Sequence, residues 1–395
     1  LDVADIERPN SPLSIDNLSQ ITLNSVKRSF SDNHEVPWKN FAGELNAQRY
    51  APIDQINKEN VNNLEIAWRW KAENFGPLPE IRNVSMPIMR DGKVFLGAGA
   101  TRNIVAIDAE SGQTLWMWKP YEGERFIQAA RKDSGKGVSY YEGSDGRRRV
   151  ITVTPGYYLV SLNAETGRPD PEFGAGGWVD LTEGLRRAPD RDLDIGLTVP
   201  PLVVGDVIVV GSAHEISFRP PSKANVKGDV RGFDALTGKL LWTFHTIPEP
   251  NTFGYDTWHN DSARYTGNAG VWAPMSADEN LGLVYLPVES ATGDQYGGDR
   301  HGNNLYANCL IALDVNTGKI RWYFQLVHHD IWDYDNPAAP ILADLPDGRS
   351  VVIQLTKQSF AYVFDRETGM PVWPIIEKEV PQTDVPGEWT SPTQP

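Results

Sequence analysis

Cysteine is nearly absent: the 395 residues contain one, Cys309. A single thiol excludes a disulfide framework, a cysteine-based zinc site and a C-x-x-C-H haem attachment within the chain. Long apolar runs are missing too. No stretch reaches the roughly 18 apolar residues of a membrane-spanning helix, and the first residues do not carry the basic-then-apolar pattern of a leader. Positive charge is in deficit. Lys and Arg number 37 against 52 Asp and Glu, a net charge of −15, with a pI near 5.0. That balance argues against a nucleic-acid or anionic-membrane surface. What is present is core-forming material: 40% hydrophobic residues and 13 tryptophans, enough for a large core in which each indole needs a partner for its N–H.

The tryptophans belong to a repeat. A strand pattern ends in a hydrophobic-Asp-x-x-Ser/Thr-Gly turn, and a second strand with a tryptophan follows. The copies are Ile107–Gly112 with Trp116, Phe233–Gly238 with Trp242, Leu313–Gly318 with Trp322 and Phe364–Gly369 with Trp373. Leu162–Gly167 is a degenerate copy, with Asn163 for the aspartate and Trp178 displaced. The Asp can accept turn N–H groups and the Gly supplies a positive φ, so a hairpin is expected at each. Short β-branched runs between the turns (Val94–Leu96, Val150–Val153, Val207–Val210, Leu283–Leu286, Val351–Gln354) supply further strands. The alternating Ile66–Trp70 reads as another. Almost no amphipathic helix competes. Small sheets that cannot bury both faces need neighbours, so the predicted class is all-β: a β-propeller of radially repeated four-stranded sheets.

Residues 1–37 read as a polar N-terminal arm and 38–395 as the propeller. Long insertions at 120–145, 168–197, 214–229, 248–270 and 290–308 are read as building one rim. About five to six blades are expected. Because no closing strand is visible before Pro395, either a fragment or a second polypeptide completing the ring is expected.

One stretch is dense in chemistry: His328-His329-Asp330-Ile331-Trp332-Asp333-Tyr334-Asp335. It follows a strand pattern and is closed by Asn336-Pro337, so it is predicted to be a loop at a strand end, where scaffolds present functional groups. Asp330 is the expected catalytic base. Adjacent histidines on an extended segment point to opposite sides, so at most one of His328 and His329 faces a site.

Taken together, the tryptophan repeats, Val271–Ser276, His328–Asp335, Thr356-Lys357-Gln358 and Pro381–Pro395 resemble the pyrroloquinoline quinone (PQQ)-dependent, or quinoprotein, dehydrogenases, in the branch similar to membrane glucose, quinate and polyol dehydrogenases. The resemblance implies an eight-bladed β-propeller, incomplete in this chain, that binds PQQ and Ca²⁺. It implies oxidation of a sugar or alcohol hydroxyl, with electrons passed to a quinone or cytochrome in the bacterial periplasm, beside the inner membrane. By the same resemblance Asp330 is the base and Lys357 contacts the quinone oxygens. Trp272 lies beside the planar cofactor, Lys136 and Thr198 serve its carboxylates, and Glu215 and Thr292 are calcium ligands, with Glu289 as a substitute. Val84-Ser85-Met86-Pro87 and Gln128–Gly135 depart from the pattern, lacking a glutamate and a histidine that relatives carry, and leave the substrate open. The alternatives are a non-catalytic propeller scaffold and a propeller hydrolase using Asp330 with His329.

Overall fold

The computed structural model describes residues 38–72, 83–187, 194–214 and 223–395; the arm expected over 1–37 lies outside them. Four antiparallel four-stranded sheets and one three-stranded sheet follow in chain order. Blade 1 is Ile88–Arg90, Lys93–Ala98, Asn103–Asp108 and Thr114–Trp118. Blade 2 is Ser139–Glu142, Arg148–Val153, Tyr158–Asn163 and Trp178–Asp180. Blade 3 is Leu202–Val204, Val207–Val210, Val230–Asp234 and Leu240–Phe244. Blade 4 is Ser276–Asp278, Leu283–Pro287, Cys309–Asp314 and Ile320–Gln325. Blade 5 is Ile341–Asp344, Ser350–Leu355 and Ala361–Asp365. The α-helix among the described residues is the single turn-and-a-half Glu124–Gln128. The sheets form an arc of blades, and all five β-branched runs read from the sequence lie in second strands.

Every blade interface is an apolar cluster, because the second and third strands are buried on both faces. Phe95 and Ile104 meet Val150 and Val160 between blades 1 and 2. Ile151 and Leu159 meet Ile208 and Phe233 between blades 2 and 3. Val209 and Trp242 meet Val284 and Ile311 between blades 3 and 4, and Tyr285 and Leu310 meet Val352 and Phe364 between blades 4 and 5.

The repeat turns close as their residues dictate. Asp234 Oδ1 accepts the Thr237 N–H and hydroxyl, both at 2.7 Å, and Asp314 and Asp365 do the same for Thr317 and Thr368. Asn163 does so for Thr166 in the degenerate copy, at 3.0 and 3.2 Å. The turn glycine is needed twice over: at Gly318 φ is +65°, and a Cβ would lie 2.5 Å from the Trp242 ring of the preceding blade. That tryptophan donates its N–H to Val315 O at 2.9 Å. Trp68, Trp116 and Trp322 dock identically on the turns at Ala109, Ala164 and Arg366. The turn at Gly238 has no such indole. Phe173 and Val179 fill the space over it, while the displaced Trp178 packs on Trp118 and Tyr158. Ile66–Trp70 is not a strand; it forms no ladder among the described residues, and its two indole N–H groups bond blade 1.

The up-and-down order of each blade puts the links between blades and the connections from second to third strand at one end of the sheets. The repeat turns lie at the other. Most of the predicted insertions fall on the first end. The exception is 168–177, which joins the third and fourth strands of blade 2 and so lies on the opposite rim.

Candidate functional site

The rim of inter-blade links encloses a cavity of about 190 Å³. Four carboxylates line it: Glu289 and Asp294 from the second-to-third connection of blade 4, and Asp333 and Asp335 from the link to blade 5. Arg131, Thr198, Asn268 and Trp272, from the links following blades 1, 2 and 3, and Lys357 from blade 5 also line it. Residues more than 200 positions apart in sequence, such as Arg131 and Lys357, therefore line one cavity because the blades pack face to face.

Three expected residues, Trp272, Thr198 and Lys357, come together here. The Lys357 ammonium reaches Asp333 O at 2.7 Å, Asp333 Oδ1 at 3.1 Å and Asp335 Oδ2 at 3.3 Å. Burial works against its charge, but Asp335 and Asp333 outweigh it and raise its pKa. Asp333 and Asp335, which share the stretch with Asp330, are thus on the cavity wall. Lys136 lies with its ammonium 5.0 Å from the Trp272 ring centre, and its backbone N–H bonds Thr198 O at 2.6 Å. Arg131, unremarked in the sequence, is held beside them. Its carbonyl accepts from the buried Arg102 guanidinium, which also bonds Leu197 O, and its stem packs where Gly196 lacks a Cβ.

Asp330 stands behind this wall and is 2% exposed. Its Oδ2 accepts the Ser290 hydroxyl, Asn308 Nδ2 at 3.1 Å and the Tyr334 N–H at 2.7 Å. Among the described residues its Oδ1 accepts only the Trp332 N–H, at 3.0 Å, and keeps capacity for a proton. Burial pushes its pKa up, against the lowering bonds from Ser290 and Trp332. The two histidines part as expected. His328 turns to Gln325 and Glu377, His329 to Gly302, Asn304 and Glu388, and neither is on the cavity wall.

The Thr292 hydroxyl donates to Asn268 Oδ1 at 3.1 Å and accepts Gly267 N–H at 3.2 Å, so Asn268, not Thr292, faces the cavity. Glu215 lies outside the described residues; its neighbour His214 bonds Glu289 at 3.1 Å. Glu289, the substitute ligand, is on the wall.

The donor set suits a hard divalent cation. Carboxylate and amide oxygens surround the cavity and cysteine does not. Burial and the charges of Asp335, Glu289 and Asp333 push Asp294 up to about 8, which is costly crowding that a cation would relieve. No three His, Cys, Asp or Glu side chains converge on one point among the described residues, so a cation here would complete its shell with Asn268, backbone or ligand oxygens. At pH 7 Asp294 holds its proton. Calcium titrated into the protein is therefore expected to release about one proton at pH 7 and almost none at pH 9. Calorimetry in buffers of different ionisation enthalpy reads that release, and none at pH 7 would remove Asp294 from the cation site.

The profile described as PQQ: glucose/ethanol/alcohol dehydrogenase, beta-propeller domain, matches residues 38–395. Quinate/shikimate dehydrogenase (quinone) of Acinetobacter baylyi is 33% identical over 390 residues, covering 91% of this chain and 46% of that protein. Quinoprotein glucose dehydrogenase of Escherichia coli is 33% identical over 380 residues, with 91% and 46% covered. The solved quinohemoprotein alcohol dehydrogenase of Pseudomonas putida HK5 superposes with a TM-score of 0.71 at 28% identity, covering 88% of this chain and 49% of that one. The chain spans about half the length of the curated relatives it matches. With the propeller profile running unbroken from Trp38 to Pro395, the chain belongs to the PQQ glucose/ethanol/alcohol dehydrogenase family.

Proposed function

We propose that the protein oxidises a hydroxyl group of a sugar, polyol or other alcohol in a PQQ- and Ca²⁺-dependent reaction and passes the electrons to a quinone or cytochrome, on the periplasmic side of the bacterial inner membrane. The observation that carries this reading is the convergence of Trp272, Lys357 and the acidic wall on one cavity, with Asp330 directly behind it. When bound, PQQ supplies the hydride acceptor and Ca²⁺ the Lewis acid that polarises it.

The chain's own groups divide the remaining work. The half-buried indole of Trp272 offers a flat apolar face for a planar ligand. Arg131, Lys136 and Thr198 form the cationic and hydroxyl end suited to carboxylates, and Arg131 provides the planar fork that a lysine lacks. Lys357, fixed by Asp333 and Asp335, presents positive charge where negative charge develops on reduction. Asp330 Oδ1 takes the hydroxyl proton as hydride leaves the substrate carbon, and its burial raises its affinity for that proton.

Neither alternative accounts for the site. A scaffold gains nothing from crowding four carboxylates around one cavity, since like charges held together destabilise a fold. A hydrolase built on Asp330 and His329 is disfavoured because the His329 ring is spent on Gly302, Asn304 and Glu388.

The test is reconstitution. The purified protein with PQQ and Ca²⁺ is assayed for dye reduction with glucose, glycerol, quinate, shikimate and simple alcohols, and with cofactor binding followed by absorbance. Turnover of at least one substrate, lost on chelation and restored by Ca²⁺, is expected. Bound PQQ without turnover of any substrate would leave the scaffold reading standing.

A further inference from the structure

We infer that the segment 377–394 is a strap that positions the Asp330 loop, with Glu388 and Gln394 as its working residues. The inference rests on the reading of Asp330 as the base.

The loop has little reason to hold its shape alone. His329 and Asp333, on either side of Asp330, adopt positive φ values of 47° and 59°, a region that side-chain-bearing residues occupy only when their surroundings enforce it. The enforcement comes from the strap. Gln394 closes both backbone groups of His328: the His328 N–H donates to Gln394 Oε1 at 2.8 Å, and Gln394 Nε2 donates to His328 O at 2.7 Å. Glu377 takes the His328 ring at 2.9 Å. Glu388, with its side chain 3% exposed, faces His329 Nε2 at 3.2 Å through one oxygen and accepts the Gly297 N–H at 2.6 Å through the other. The Trp389 indole closes edge-on against the His329 ring, 4.9 Å between centroids. Gly297 is required, since a Cβ there would lie 2.4 Å from His329 Nε2.

From the far side, the buried Arg300 donates to Asp330 O, Gly293 O and Asn304 Oδ1. Asn304 also bonds His329 Nδ1. The peptide groups flanking Asp330 are therefore gripped from two directions. The carboxylate is aimed by residues that touch neither it nor the cavity.

The test uses the full chain with Glu388→Ala, Gln394→Ala and the conservative Glu388→Gln. In the cofactor-free protein, hydrogen exchange over 330–335, which contains the Trp332 and Tyr334 amides bonded to Asp330, is expected to quicken in both alanine variants while the blade strands keep their protection. With PQQ and Ca²⁺ bound at unchanged affinity, Glu388→Ala is expected to lower kcat about 100-fold with KM within about threefold, the cost of a displaced catalytic group. The deuterium isotope effect with carbon-deuterated substrate is expected to rise, and Glu388→Gln, whose N–H₂ must face either the Gly297 or the Trp389 N–H, to restore only part of the rate. Unchanged exchange over 330–335, or a loss of rate that tracks a loss of PQQ affinity, overturns the strap. If Glu388→Ala does not fold, Gln394→Ala and Glu388→Gln decide by the same exchange readout. If the unaltered protein oxidises no hydroxyl, the proposed function fails, and the exchange result still decides whether 377–394 orders the loop.

Discussion

Asp330→Asn is expected to leave PQQ bound and to cut kcat by about 100- to 10,000-fold, the range set by a positioned general base. The substitution keeps shape and volume but removes the lone pair that takes the substrate proton. It also removes one hydrogen bond. Asp330 accepts from Ser290, Asn308, Tyr334 and Trp332. An amide has one accepting oxygen, so in either orientation its N–H₂ meets a donor. Leaving that group unsatisfied costs about 1–3 kcal/mol, offset in part because a buried charge is removed along with it. The apparent Tm should therefore move little while the rate collapses. Dye-reduction kinetics beside a PQQ titration separate the two effects. A variant within about fivefold of the parent rate would remove Asp330 from the chemistry and shift attention to the wall carboxylates Asp333 and Asp335.

Trp242→Ala is expected to destabilise the protein by about 3–5 kcal/mol, the cost of emptying a buried indole site. The ring is 8% exposed. It lies against Gly232 of its own blade and Gly318 of the next, where built Cβ atoms would come within 2.2 and 2.5 Å of it, and its N–H bonds Val315 O at 2.9 Å. A blade cannot slide to fill the gap without breaking that turn, so little relaxation is available. For a chain of this size the loss corresponds to a fall in apparent Tm of roughly 4–6 °C. Leu241 is the control. It is the preceding residue in the same strand and 44% exposed, so Leu241→Ala should stay within about 0.5 kcal/mol. Thermal unfolding of both variants decides. A shift below about 2 °C for Trp242→Ala would mean that the tryptophan dock does not hold adjacent blades together.

The repeat could be read from the sequence because its interactions are local. An Asp or Asn bonds the residue three positions on, and the Gly that follows that residue turns the chain, whatever surrounds them. The same local reasoning misjudged Ile66–Trp70. Alternation put both indoles on one side, but a strand also needs a partner, which the pattern does not contain. It could show that Trp178 is displaced in the degenerate copy, but not that Phe173 and Val179 cover Gly238 instead. The turn only requires the space to be filled by something apolar.

Composition, turn chemistry and residue patterning by themselves determined the all-β class, the repeated blades, the loop carrying Asp330 and, through its motifs, the family. Tertiary structure alone decided which residues share the cavity. Arg131, Asn268 and Asp294 became wall residues, Thr292 moved behind Asn268, and Asp333 and Asp335 proved to be the anchors of Lys357. The physical reason is distance along the chain. Hydrogen bonds within a turn are encoded in a few neighbouring residues, but a wall built from links between five stacked sheets depends on how those sheets pack.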